Sequence, residues 1–223
     1  MHVQIYKMNN SLHEFTKSLR HDFLKASFDE KDAHSNPFKQ FEIWYEQAVK
    51  SELFEPNALT LSTATKKGRP SSRIVFLRGF EKHGFVFFTN YISRKGNELK
   101  ENPYASLLFY WPELERQVRI EGKVVKVPTA ISDDYFAKRP RNNRVGAWAS
   151  PQSNVLKSRA ELDALVSEYV VKFTEEIPRP KHWGGYVLKA SYYEFWQGRE
   201  SRLHDRICYT LKNKKWVKQR LAP

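Results

Sequence analysis

The 223-residue sequence contains a single cysteine, Cys208, which excludes an internal disulfide. No apolar run approaches the about 20 residues that a membrane-spanning helix needs. The first residues, MHVQIYKMNN, lack the basic region followed by an apolar core that marks a signal peptide. These absences favour a soluble cytoplasmic protein with no membrane partner, in which Cys208 simply packs within a strand.

Several nucleotide-binding, metal-binding and hydrolase motifs are also missing. The sequence has no P-loop, no G-x-G-x-x-G turn after a strand, no G-x-S-x-G elbow and no Cys/His grouping with zinc spacing. Because the histidines are scattered, no metal site is expected. An oxidoreductase with this sequence would need a cofactor other than a nicotinamide or a metal, and a flavin phosphate would suit sites for anions.

Positive charge is in excess, with 38 Lys and Arg against 25 Asp and Glu and a formal net charge of +13. Nucleic acid, an anionic membrane surface or small phosphorylated ligands could each exploit this charge. The basic residues are spread from Lys7 to Arg220, and many stand singly inside apolar segments. This distribution favours specific anion sites, or solubility alone, over a track for nucleic acid.

Helical patterns occur at five places along the chain. Helical spacing and start signals predict helices over 11–24 with a capping pair Ser11 and Glu14, from Asn36-Pro37, over 94–100, over 129–139 with a stop at Pro140, and over 158–173 with a capping pair Ser158 and Glu161.

Strand-like segments fill the rest of the chain from residue 58 onward. They are ALTLSTAT, SSRIVFLRGF, GFVFFTN, YASLLFYW, RQVRIEGKVVKV, GGYVLKASYYEFWQG, SRLHDRICYTLK and KWVKQRLA, separated by turn signals. Successive short strands at this spacing predict an antiparallel barrel or sandwich. Since no long linker divides the chain, we expect one α+β domain with a β core.

The tripeptide Ser93-Arg94-Lys95 opens one of the predicted helices. Two cations in a first turn oppose the helix dipole, which favours negative charge there. Their presence is explained if an anion binds at this helix N-terminus through backbone N–H groups and side chains. A solvated basic turn is the alternative.

The segment 202–206 offers a second polar surface. In a regular strand Arg202, His204 and Arg206 would share one face, suited to an anionic, hydrogen-bonding ligand, with Trp196 nearby. A solvated strand face explains the same pattern.

Two further pairs of residues are less informative. Arg73 and Arg78 have an odd separation, so a regular strand would place them on opposite faces. Tyr135 and Arg139 are four apart and would share a helix face. Solubility, a helix C-terminal cation and a core aromatic account for them equally well.

Seven blocks and the terminal RLAP together resemble the pyridoxine (pyridoxamine) 5′-phosphate oxidase family. The blocks are RIVFLRGF, FFTNYISRKGNEL, LERQVRIEG, YFAKRPR, GAWASPQS, WGGY and EFWQGRESRLHDR, in family order. The resemblance implies an α+β antiparallel split β-barrel with flanking helices that binds FMN. It also implies a homodimer with two sites at the subunit interface. Residues 1–223 would form a single domain, with a helical segment 1–52 packed on a barrel core 53–223.

The resemblance also implies the residues of the site. Those expected to bind FMN are Arg73, Ile74, Val75, Phe76, Leu77, Arg78, Phe88, Thr89, Arg94, Lys95, Gln117, Gln152, Ser153, Trp196 and Arg206, several of them toward the other subunit's site. Those expected to bind the substrate are Arg20, Phe23, Arg78, Tyr135, Arg139, Asn143, Arg202 and His204.

The implied reaction oxidises the C4′ carbon of pyridoxine or pyridoxamine 5′-phosphate to pyridoxal 5′-phosphate, with O2 as acceptor and H2O2 as product. Arg202 would clamp the substrate ring and His204 would orient it or assist proton transfer. The sequence departs from the family's usual residues at four positions: Arg78 stands for Lys, Asn143 for Ser, Arg144 for Gln, and Phe23 for Tyr.

Three alternatives remain open from the sequence. One is a different split-barrel flavoprotein such as a flavin reductase. The RLHDR block argues against this alternative, because a flavin reductase has no use for a vitamin-binding surface. Another is a basic nucleic-acid-binding module, which predicts a colourless protein and strongly salt-dependent binding. The third is a carrier that binds pyridoxal phosphate without turnover.

Overall fold

The computed structural model describes residues 15–17, 19, 22–81 and 84–223. The expected helix over 11–24 lies mostly outside these residues, with only 15–17 described as helical, and so do its capping pair and Arg20. In the described part of the chain, no helix combines the length and apolarity needed to cross a bilayer.

Five helices and nine strands follow one another along the described chain. The helices are α1 (Pro37–Lys50), α2 (Arg94–Glu101), α3 (Thr129–Ala137), α4 (Arg141–Ala149) and α5 (Arg159–Lys172). The strands are β1 (Ala58–Ala64), β2 (Pro70–Phe76), β3 (Gly79–Glu81), β4 (Gly84–Asn90), β5 (Tyr104–Trp111), β6 (Arg116–Lys126), β7 (Trp183–Gln197), β8 (Asp205–Lys212) and β9 (Lys215–Arg220).

The predicted helix starts are confirmed. The side chains of Asn36, Ser93 and Ser158 each accept a hydrogen bond from a backbone N–H of the first turn of α1, α2 and α5. These bonds satisfy N–H groups that have no partner inside the helix. The sequence signals therefore located these three helices correctly.

One predicted helix end was wrong, and one helix was not predicted. The helix expected over 129–139 ends at Ala137, and a further helix, α4, begins at Arg141 with Pro140 at its N-cap. A proline is tolerated at a helix start, because the N–H that it lacks would have no partner there. Pro140 thus begins a helix that the sequence analysis missed.

All strand pairs are antiparallel, in the order β2-β1-β5-β6-β7-β4-β3, with β8 paired to β7 and β9. Only Leu77 and Arg78 separate β2 from β3, although these strands stand at opposite ends of that order. The short connection brings the two ends together and curls the sheet. The backbone N–H of Arg78 donates to the carbonyl of Val86 in β4, 2.8 Å away.

The 15-residue strand β7 is where the sheet divides. Along one edge it pairs with β6, while along the other its first part pairs with β4 and its second part with β8. One long strand therefore belongs to two diverging surfaces, which is the split of a split barrel. The expected α+β class with an antiparallel split barrel and flanking helices is confirmed.

The hydrophobic core fills the curled sheet and is closed by α1. Phe41 of α1 is fully buried and meets Phe85 edge-on with ring centroids 4.8 Å apart. Burying a side chain of this size stabilises the fold by about 1.5–3 kcal/mol. A second, smaller cluster joins α3, α4 and the start of β7 through Phe136, Val145 and Trp183.

Candidate active site

A cleft of about 1030 Å³ lies between β2 and the end of β4 on one side and α3 and α4 on the other. The N-terminus of α2 closes one end. The cleft brings together fourteen of the residues expected at the site: Arg73, Ile74, Val75, Phe76, Arg78, Phe88, Thr89, Arg94, Lys95, Tyr135, Arg139, Asn143, Gln152 and Ser153.

The placement of Arg73 and Arg78 corrects the expectation of opposite faces. β2 ends at Phe76, so the alternation of a regular strand does not reach Arg78, and both arginines line the same cleft. A similar correction applies to Arg139, which follows the end of α3 and does not share a helix face with Tyr135. Both of these side chains also line the cleft.

Close backbone packing fixes α2 at the end of the cleft. A Cβ atom on Gly96 would lie 2.2 Å from the carbonyl oxygen of Tyr91, so only glycine allows the first turn of α2 to approach the preceding turn this closely. This contact places Arg94 and Lys95 beside the end of β4.

Lys95 is a buried cation at this end of the cleft. Its Nζ donates to Oε1 of Gln152 at 3.1 Å and to Oγ of Ser93 at 3.3 Å. Burial, and then the positive charge of Arg73, lower the pKa of Lys95 to about 8. An anion bound here would offset both effects, as the sequence analysis proposed for this helix N-terminus.

Glu98 is a residue of this site that sequence reasoning missed. Its carboxylate is buried and accepts hydrogen bonds from Thr63, Ser71, Arg73 and Arg94. Burial raises its pKa, but these bonds, led by those of the two hydroxyls, bring it down to about 2. The spacing of Arg94 and Glu98, four apart on one helix, was the available signal.

Three stacked aromatic rings form a wall of the cleft. The rings of Phe88 and Tyr135 lie parallel with centroids 3.9 Å apart and planes 10° from each other. The ring of Trp183 is nearly parallel to both, with its centroid 5.5 Å from that of Phe88 and 6.2 Å from that of Tyr135. The guanidinium of Arg139 lies over Trp183, 4.5 Å from its ring centre. Burial, and then the charge of Arg78, lower the pKa of Arg139. Arg139 thus lies against this wall and within electrostatic reach of Arg78.

A second group of expected residues does not line the cleft. Gln117, Trp196 and Arg206 stand directly opposite one another on β6, β7 and β8, so they share one face of the sheet. Nε of Arg206 donates to the buried carboxylate of Glu194 at 2.9 Å. Burial raises the pKa of Glu194, but hydrogen bonds from Arg119 and Arg206 outweigh it and lower the pKa.

His204 belongs to an aromatic group on this second surface. Its ring lies 4.6 Å from that of Trp196 and 5.6 Å from that of Phe23, which in turn meets Trp196 edge-on at 5.5 Å. Burial, and then the charge of Arg202, lower the pKa of His204. Phe23 therefore covers one side of the imidazole.

The regular strand assumed for residues 202–206 was wrong. β8 begins at Asp205, and Arg202 lies in the short 3-10 turn Glu200–Arg202. Ser201 and Arg202 have φ of 55° and 61°, a left-handed conformation that costs about 1–2 kcal/mol per residue. Strand alternation therefore does not relate Arg202 and His204 to Arg206; the turn sets their positions.

Leu77, expected at the cofactor, is buried in the core. Its backbone N–H donates to the carbonyl of Asn57 at 2.8 Å, and its own carbonyl accepts from Nδ2 of Asn57 at 3.3 Å. Its role in the structure is to anchor the connection between β2 and β3. Among the described residues, no group of three His, Cys, Asp or Glu side chains is placed to hold a metal ion.

Family models match most of the chain. Residues 45–171 match the model described as pyridoxamine 5′-phosphate oxidase, and residues 183–223 match the pyridoxine 5′-phosphate oxidase C-terminal dimerisation region. The chain is 54% identical over 207 residues to the pyridoxine/pyridoxamine 5′-phosphate oxidase of Paraburkholderia xenovorans, covering 92% of this chain and 97% of the relative. It is 55% identical over 208 residues to that of Burkholderia thailandensis, with the same coverage.

Solved structures agree with these matches. PhzG from Burkholderia lata, crystallised with tetrahydrophenazine-1-carboxylic acid, superposes with a TM-score of 0.84 at 34% identity, covering 90% of this chain and 99% of PhzG. A pyridoxamine 5′-phosphate oxidase-related, FMN-binding protein from Nostoc punctiforme, at 17% identity and a TM-score of 0.66 over 84% of this chain and 98% of that protein, shares the fold. The chain belongs to the pyridoxamine 5′-phosphate oxidase family of flavin oxidoreductases.

Proposed function

We propose that this protein is an FMN-dependent oxidase that converts pyridoxine 5′-phosphate and pyridoxamine 5′-phosphate to pyridoxal 5′-phosphate. Oxygen accepts the electrons, H2O2 is released, and the amine substrate also yields ammonia. The observation that carries the proposal is one cleft lined by two clusters of cations, Arg94 and Lys95 in one and Arg78 and Arg139 in the other. Two phosphorylated ligands, a cofactor and a substrate, need such a pair of sites.

The donors at the α2 end fit the phosphate of FMN. Lys95 is buried with a lowered pKa and Arg94 is its neighbour at a helix N-terminus, an arrangement that stabilises a dianion. Thr89 and Gln152 add polar atoms beside them. The bound flavin would supply the two-electron acceptor that the side chains of the protein lack.

The cluster of Arg78 and Arg139 fits the phosphate of the substrate. Arg78 and Arg139 supply positive charge, Tyr135 a hydroxyl and Asn143 an amide, all on the lining of the cleft. Arg78 presents a planar group with several donors, so it can hold a phosphate through two bonds at once. The chain thereby orients the substrate within reach of the cofactor.

The second surface supports a homodimer in which each site uses both subunits. Gln117, Trp196, Arg202, His204 and Arg206 lie outside the cleft of their own chain, and the C-terminal match is to a dimerisation region. In the proposed dimer these residues reach the partner's cleft. There Arg202 would clamp the pyridine ring and His204 would hold or move a proton. Residues 1–223 would form one such domain per subunit, in the cytoplasm.

Visible absorption of the purified protein and oxygen uptake test the proposal. A yellow protein that consumes oxygen with pyridoxine 5′-phosphate and pyridoxamine 5′-phosphate supports it, and a protein that cannot bind FMN contradicts it. Tetrahydrophenazine-1-carboxylic acid, the ligand in the PhzG crystal, is the comparison substrate. Oxidation of this acid in preference to the vitamer phosphates would overturn the substrate assignment.

The variant Arg202→Met tests the role of the turn before β8. It keeps an unbranched aliphatic stem but removes the guanidinium and its charge, and we expect a large loss in kcat/KM for pyridoxine 5′-phosphate with FMN still bound. Lys212→Met, at the far end of β8, is the control for loss of one surface charge. An unchanged kcat/KM in Arg202→Met would exclude a central role for Arg202.

A further inference from the structure

Glu98 is a buried carboxylate that contacts Ser71, Arg73 and Arg94, three residues of the cleft lining. Its side chain is 5 % exposed, and it stands on α2 one turn after Arg94. A buried charge is costly unless hydrogen bonds and opposite charges compensate it. Oε2 accepts from Thr63 at 2.5 Å and from Ser71 at 2.6 Å, while Oε1 faces Arg94. Both oxygens of the buried carboxylate thus accept hydrogen bonds.

Both terminal nitrogens of Arg73 donate their hydrogen bonds to groups of the protein itself. One terminal nitrogen donates to the carbonyl of Leu61 and to Thr63, and the other donates to Ser71 and Glu98. A guanidinium has five N–H groups, and among the described residues these partners leave Nε–H of Arg73 for a ligand. Arg73 is therefore built as a support of the cleft wall.

Arg94 has the opposite arrangement. Its Nε donates to Oε1 of Glu98 at 2.9 Å, and its side chain is 56 % exposed. Within the described residues its two terminal nitrogens have no hydrogen-bond partner. One anchored nitrogen and two open ones hold the end of the guanidinium ready for an anion.

We propose that Glu98 is a positioning residue that aims the guanidinium of Arg94 at the cofactor phosphate and locks Arg73 into the wall. This inference rests on the proposed binding of FMN in the cleft. It gives the cations two different roles. Arg94 and Lys95 contact the phosphate, and Arg73 supports the cleft wall beside them. Because Glu98 touches neither reacting atom, it acts through Arg94.

Comparing FMN with riboflavin separates this role from a general structural one. The two ligands differ only in the phosphate, so a change confined to the phosphate site alters FMN binding alone. Glu98→Gln keeps an oxygen for Thr63 and Ser71 but loses the charge that holds Arg94. We expect the Kd of the apoenzyme for FMN to rise about tenfold and the Kd for riboflavin to stay within about twofold of the wild-type value.

Glu101→Gln, on the exposed end of the same helix, is the matched control and should leave both constants unchanged. In a double-mutant cycle, Arg94→Met should make FMN binding insensitive to Glu98→Gln, because the residue that Glu98 positions is gone. Should Glu98→Gln fold poorly, Glu98→Asp keeps the charge and moves it away from Nε of Arg94, and it should give an intermediate loss for FMN only.

Two results would overturn the inference: equal binding of FMN by Glu98→Gln and the wild type, or equal losses for FMN and riboflavin. Both presuppose a wild-type protein that binds FMN. Failure of the wild type to bind FMN contradicts the proposed function itself, so the two failures are distinguishable. Thermal unfolding of each apoenzyme shows whether weaker FMN binding in a variant comes from a less stable fold or from a lower affinity for the phosphate.

Discussion

The imidazole Nδ1 of His204 accepts a hydrogen bond from the backbone N–H of Arg199, 3.1 Å away. A ring nitrogen that accepts carries no proton, so the proton of the neutral imidazole is on Nε2. The side chain of Arg199 is itself tied to Asp205 at 2.9 Å, which holds the turn between β7 and β8. The backbone thus selects the tautomer of the proposed proton carrier.

The first prediction concerns the titration of His204. Burial and the charge of Arg202 lower its pKa, so we expect a value below the about 6.5 of a free histidine. Since the unfolded state then binds the proton more tightly, His204 contributes stability above about pH 6.5. This contribution is lost as pH falls through the folded-state pKa. NMR titration of the imidazole measures it.

Arg202→Met should raise the pKa of His204, because it removes the nearby positive charge, whereas Lys212→Met should not. A wild-type pKa above 6.5, or no response to Arg202→Met, would contradict the described environment of the ring.

Lys95 predicts a pH dependence of cofactor binding. With a pKa of about 8 in the unliganded protein, it is charged below that pH and neutral above it. FMN affinity should therefore be constant from pH 7 to about 8 and weaken as pH rises further. Fluorescence titration of the apoenzyme follows this change. Lys95→Met should bind more weakly with a flat profile, and Lys95→Arg should remove the weakening at high pH.

The stack of Tyr135 on Phe88 predicts a contrast between two variants. Tyr135→Phe keeps the ring but loses the hydroxyl, so we expect a higher KM for pyridoxine 5′-phosphate with an unchanged Tm. Tyr135→Ala also removes the ring contact, worth about 0.5–1.5 kcal/mol beyond its buried area, and should lower the Tm. A Tyr135→Phe enzyme with wild-type KM would place the hydroxyl outside the substrate site.

Two helical glycines predict opposite effects of alanine. In Gly96→Ala the new Cβ would meet the backbone of Tyr91, and overpacking of this kind costs about 1–3 kcal/mol. In Gly146→Ala no atom lies within 4 Å of the new Cβ, so better helix propensity should stabilise α4 by up to about 1 kcal/mol. Chemical denaturation measures both changes. FMN affinity should fall in Gly96→Ala, because α2 shifts.

Arg78 predicts a milder outcome. Its guanidinium lies 5.1 Å from the ring centre of Phe76 and lines the substrate end of the cleft. Arg78→Lys keeps the charge and should preserve kcat, with a modest change in KM for the phosphorylated substrate. Steady-state oxygen uptake measures both constants. A wholly inactive Arg78→Lys would assign Arg78 another catalytic or structural role.

The helices and strands were largely readable from the sequence, because their signals are local. Asn36, Ser93 and Ser158 mark helix starts through side chains that bond the backbone two or three residues on. Alternation of apolar residues marks β1 and β5, where every second side chain is buried. The turn 200–202 was not predicted, because no local sequence signal indicates that Ser201 and Arg202 adopt a left-handed backbone conformation.

By itself, the sequence determined an α+β protein with an antiparallel β core, a helix start at Ser93, and, through its blocks, the family. The tertiary structure alone decided which distant residues share a surface. The two-residue connection at Leu77 and Arg78 curls the sheet and brings β2, β4 and α4 around one cleft, while Trp196 and His204 stand elsewhere on the same chain. Such contacts depend on strand order and curvature, which no short-range pattern encodes.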